Sequence, residues 1–88
     1  MEIQVLYLTT GIYVISKVKH QGPLVFLKDP KQIQQTFHED GTISIKLIPF
    51  LPFSLSEQSY GFAIHRDHIL HYGRPTTDIA NQYASLGT

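Results

Sequence analysis

The sequence predicts a mainly β domain, a small and strongly bent five-stranded barrel carrying a short C-terminal helix, and three observations point there. Runs rich in β-branched and aromatic residues recur from Ile3 to Tyr72, and breaks containing Gly, Pro or Asp separate them. After Pro75 the apolar period changes from two to that of a helix. At 88 residues the chain has room for one hydrophobic core. Residues 1–74 are therefore assigned to the β-barrel and 75–88 to a helix packed on the same domain.

The first strand covers Ile3 to Leu8, which is almost wholly apolar, and Thr9-Thr10-Gly11 turns the chain into a second, Ile12 to Lys19. In that strand Ile12, Val14 and Val18 share one face and Lys17 and Lys19 the other, the period of two of a half-buried strand. Gln21-Gly22-Pro23 is a break. Leu24 to Leu27, a continuous apolar run, reads as a strand covered on both faces, and Asp29-Pro30 as the turn after it. Ile33 and Phe37, then Ile43, Ile45 and Leu47, alternate with polar residues on either side of Asp40-Gly41. This pattern predicts an antiparallel pair with those five side chains buried on one face. Pro49 and Pro52 end the strand within the apolar segment Ile48 to Phe53, which needs a cover. Residues 54–59 form a polar link, and Tyr60 to His65 with His68 to Tyr72 form a second hairpin about Arg66-Asp67. In the tail, Ile79, Tyr83 and Leu86 fall on one helical face, with a Thr as N-cap, Asp78 near the positive end and Gly87 as a stop.

Charge and composition narrow the function classes. Lys plus Arg balance Asp plus Glu at seven each, so any attraction for nucleic acid must be local rather than global. The five histidines can add charge in mildly acid conditions, since free imidazole titrates near pH 6.5. There is no cysteine, which removes disulfides and thiolate metal sites and fits a reducing interior. No apolar run reaches the roughly 18 residues of a membrane span, and Met1-Glu2-Ile3 lacks a basic leader, so a cytoplasmic location without membrane contact is expected.

The stretch Ile64-His65-Arg66-Asp67-His68-Ile69 has the spacing of the second motif of Sm-like (LSm) proteins, and Gly22-Pro23-Leu24 with Asp29 resembles the first. Over nearly its full length the chain resembles small phage and marine-metagenome proteins of cyanophage type. The shared layout is Thr10-Gly11, Leu27-Lys28-Asp29-Pro30, Ile48 to Ser54 and a tail from Pro75 to Tyr83. That resemblance implies an Sm-like barrel assembled into a closed homo-oligomeric ring of roughly five to seven subunits. It also implies a phage-encoded protein acting in the host cytoplasm on RNA or single-stranded DNA. In such rings the turns after the second strand and between the last two strands line the pore. The positions that match are His65 and Arg66 in the second motif and Lys31 and Gln32 in the first. Here His65 stands where the motif has Arg, and Arg66 where it has Gly.

Lys28, Lys31 and Arg66 are the cations placed on turns, and repeated around a ring they would make a positive collar for phosphates. The apolar residues assigned to the subunit interface are Phe50, Leu51, Phe53, Phe62, Ile64 and Ile69. His65, His68 and His71 suggest zinc, but residues three apart on a strand point to opposite faces, so no metal and no cofactor is expected. Without a Cys nucleophile, a Gly-x-Ser-x-Gly elbow or a phosphate loop, the chain is expected not to be an enzyme. The alternative is a structural or adaptor subunit of a phage particle or replication complex, binding protein through the Pro-rich apolar segment.

Overall fold

The computed structural model describes residues 2–50 and 62–86. Six strands and one helix follow in the order β1 (Glu2–Leu8), β2 (Tyr13–Gln21), β3 (Leu24–Phe37), β4 (Ile43–Pro49), β5 (Phe62–His65), β6 (Ile69–Gly73) and α1 (Thr77–Leu86). A 3-10 turn, Arg66–His68, joins β5 to β6. All pairings are antiparallel, and the hydrogen-bonded path runs β4-β3-β2-β1-β6 as an open sheet. The mainly β fold with a C-terminal helix is thus as the sequence indicates. Among the described residues the strand count is six rather than five, because β4 and β5 occupy two halves of the same edge of β3. Lys31 to Phe37 pair with β4, and Leu24 to Leu27 pair with β5.

One expected turn and one expected hairpin are absent. Asp29-Pro30 does not end a strand; it is a bulge inside the 14-residue β3. The ladder with β2 passes from Lys17 opposite Lys28 to Ile15 opposite Lys31, so β3 carries one extra residue there. Asp29 takes a positive φ of 53°, which Asp tolerates better than most residues, and Pro30 has no N–H to offer the ladder. The bulge moves Ile33 to the face opposite Val25 and Leu27, although all three are odd-numbered. Likewise β5 and β6 do not form a hairpin about Arg66-Asp67. β5 pairs with β3 and β6 with β1, and no ladder joins the two among the described residues.

The sheet buries both faces. On one, Leu6, Leu8, Val14, Val18, Val25 and Leu27 form a cluster against which Ile12, Phe50, Ile64 and Ile69 pack. On the other, Ile15, Ile33, Leu47 and Tyr83 pack together with Ile3, Val5, Ile45 and Ile79, so α1 is the cover of this face. Leu24 to Leu27 is accordingly buried by alternation, Val25 and Leu27 inside and Leu24 exposed, rather than on both sides. The β3–β4 pairing has the register the alternation predicts, with Ile33 opposite Leu47 and Phe37 opposite Ile43. Only its inner part is buried: Phe37 is 73% and Ile43 53% exposed. The β2 ladder ends at Tyr13 opposite Ile33, so beyond it the hairpin is a two-stranded arm with no layer over it among the described residues. At its tip Gly41 takes φ 88°, and the Asp40 carboxylate accepts from the Thr42 amide and hydroxyl. These bonds to Thr42 hold the Asp40 carboxyl below its ordinary pKa.

Candidate nucleic-acid interface

Even-numbered residues of β1 and β2 share the face of the first cluster, and at one end that face opens into a groove. Gln4 and His20 project there from β1 and β2, and Tyr72, opposite Leu6 on β6, completes the row. The His20 imidazole Nε2 is 2.9 Å from Gln4 Oε1, and its ring lies 4.7 Å from that of Tyr72. The glutamine thus orients the imidazole, which in turn supports one side of the tyrosine. The groove has a volume of about 550 Å³, with Val25 and Ile69 beneath His20, Arg66, His71 and Tyr72.

Arg66 reaches this place because the 3-10 turn is tied on two sides. Its amide donates to Pro23 O in the β2–β3 turn at 2.9 Å, and the Thr9 amide donates to His68 O at 2.8 Å. Within the turn His65 acts as the N-cap: its Nδ1 accepts from the Asp67 amide at 3.2 Å and lies 3.3 Å from Asp67 Oδ2. Both side chains are substantially exposed, and the contact with Asp67 Oδ2 is an ion pair only when the imidazole is protonated, so it contributes little to stability. Arg66 has no ion-pair partner among the described residues and is free to meet an anion.

The residues matched to the first motif lie elsewhere. Leu24 is opposite His65, whereas Lys28 and Lys31 lie farther along β3, with Lys31 roughly 20 Å from that point at the usual strand rise. Lys31 lines a second groove beneath α1, and Gln32 pairs with Val14 on one side and Ile48 on the other. Within one chain, therefore, His65 and Arg66 come together and Lys28, Lys31 and Gln32 do not join them. The placement of Lys28 and Lys31 on a turn at Asp29-Pro30 fails because the bulge keeps residues 28–31 in the strand. Sequence reasoning also passed over His20 and Tyr72. His20 shares even parity with Val14 and Val18 on the core face of β2, but Tyr72 reaches that face only through the register shift of β6 against β1 between Tyr7 and Leu8.

Of the proposed interface residues, Phe50, Ile64 and Ile69 are half-buried against the chain's own first cluster. Leu51 and Phe53 lie outside the described residues, as does the side chain of Phe62. Among the described residues no group of three or more His, Asp or Glu side chains is placed to hold a metal ion. No helix there is long and apolar enough to cross a membrane. No family model matches the chain, and no curated protein matches it.

Proposed function

We propose that this chain binds single-stranded RNA or DNA, without chemistry of its own, as a ring-forming Sm-like protein of phage origin. The observation that carries the reading is the convergence of Arg66, His20, His71 and Tyr72 on one groove. A guanidinium free of carboxylate partners among the described residues suits a phosphate, and the half-exposed Tyr72 ring offers a face on which a base can stack. With the chain neutral overall, such a site draws its polyanion by local field and by repetition around an assembly.

The Sm-like part rests on how the second motif is used. Ile64 and Ile69 point into the core on either side of the turn that presents Arg66, and that turn carries the chain from the β3 edge to the β1 edge. Such a connection bends a sheet toward a five-stranded barrel in which β4 and β5 count as one interrupted strand. The ring part rests on the edges: β4 and β6 end the hydrogen-bonded path, and open edges invite strand addition from a neighbouring copy. Fluorescence anisotropy with labelled single-stranded oligonucleotides, read across salt concentrations, tests the binding, and light scattering tests the ring. Absence of binding at low salt removes the nucleic-acid reading. The adaptor reading then stands in its place, favoured by the exposed apolar pair Phe37 and Ile43 at the tip of the β3–β4 arm.

A further inference from the structure

The second groove, about 460 Å³ in volume, lies on the opposite face of the sheet, where the last turn of α1 overhangs β1, β2 and β3. Its walls divide by chemistry. Ile3, Ala84 and Leu86 supply apolar surface, and Lys17, Lys31 and Asp29 supply charge. Register explains why two lysines meet here. Ile3 is opposite Lys17, and Lys31 is opposite Ile15, two positions from Lys17 on the same face of β2. Both side chains line the same groove, where two long lysines can reach toward one small anion.

Both lysines are half-buried, and neither ammonium has a carboxylate within 4.0 Å among the described residues. Their aliphatic stems lie along the apolar surface while the ammonium heads remain available to an anion. The Tyr83 hydroxyl is engaged with the bulge, donating to the Asp29 carbonyl at 2.9 Å with the Lys28 carbonyl 3.3 Å away. Asp29 is the one acid at the rim among the described residues, so positive charge exceeds negative there.

We propose that this groove is a binding site for a small amphipathic organic anion, its carboxylate or phosphate-ester head between Lys17 and Lys31 and its apolar body against Ile3, Ala84 and Leu86. The site is independent of the nucleic-acid reading, because it shares no residue with the Arg66 groove.

Octanoate, octyl phosphate and inorganic phosphate are titrated into the full chain, with binding followed by calorimetry and by amide chemical shifts. The two octyl ligands should saturate one site per chain and shift the amides of Lys17, Lys31 and Leu86. Inorganic phosphate should bind about tenfold more weakly or worse, lacking the apolar contact. The Lys17→Gln, Lys31→Gln double variant should lose about tenfold or more in affinity for the octyl ligands, whereas Arg66→Ala should bind them as the wild type does. If the double variant does not fold, Leu86→Asp, a change at an exposed wall position, should abolish binding by setting a carboxylate beside the tail. Failure of both octyl ligands to saturate, equal affinity for inorganic phosphate, unchanged affinity in the lysine or Leu86 variants, or displacement by a single-stranded oligonucleotide would each overturn the proposal.

Discussion

Tyr83, near the end of α1, donates its hydroxyl proton to the carbonyl of Asp29, the bulge residue of β3, at 2.9 Å. The neighbouring Lys28 carbonyl lies 3.3 Å from the same hydroxyl and also accepts from Ser16 Oγ at 2.9 Å. A bulge leaves backbone groups without ladder partners, and here one tyrosine and one fully buried serine satisfy them. The same bond seats the helix, so the break in β3 and the cover over Ile15 and Ile33 are one arrangement.

Tyr83→Phe should therefore destabilise the fold by about 1–3 kcal/mol, because buried carbonyls lose their donor while the ring stays packed. Urea denaturation compared with wild type checks this, and Ser16→Ala should show a loss of similar size.

Burial, with the nearby Asp29 charge, pushes the Tyr83 hydroxyl up from 10.0 to about 12, partly offset by a backbone hydrogen bond from Lys17. The folded state holds this proton more tightly than the unfolded chain. The stabilisation is thus complete below pH 10 and is lost as the pH rises from about 10 through about 12. Thermal midpoints across that range should fall in wild type and fall less steeply in Tyr83→Phe.

At position 29 the backbone, more than the side chain, sets what is allowed. Asp29→Gly should keep stability within about 1 kcal/mol of wild type, whereas Asp29→Val, β-branched at positive φ, should cost about 1–2 kcal/mol or more. Chemical denaturation of the pair measures the difference.

For the Arg66 groove, Arg66→Ala should weaken oligonucleotide binding several-fold and reduce the salt slope by about one. Tyr72→Ala should cost about 1–3 kcal/mol of binding if a base stacks there. Lys19→Ala and Lys31→Ala, both outside the groove, should bind nearly as wild type. Anisotropy titrations at several salt concentrations read all four.

The β3–β4 hairpin offers an internal control on burial. Leu47→Ala, in the second cluster, should cost about 2–5 kcal/mol, while Phe37→Ala at the exposed tip should cost less than about 1 kcal/mol. Equal losses would mean that the arm is covered in solution.

From the sequence by itself followed what depends on neighbours along the chain. The β runs, the register about Asp40-Gly41 and the helix with Ile79 and Tyr83 on its inner face are written in periods of two and of three to four. His65 and Arg66 could be joined for the same reason, being adjacent on one turn. Only the tertiary structure decided the rest. Whether Asp29-Pro30 turns the chain or bulges a strand depends on whether partners exist for its carbonyls, and those partners are Ser16 and Tyr83, far away in sequence. The burial of Ile33 and the exposure of Phe37 on one alternating face depend on where β2 stops and how far α1 extends. The groove of His20, Tyr72 and Arg66 exists because β6 chose β1 as its partner and β5 chose β3. Alternation marks which residues of a strand share a face, but it carries no information about which strand lies beside it.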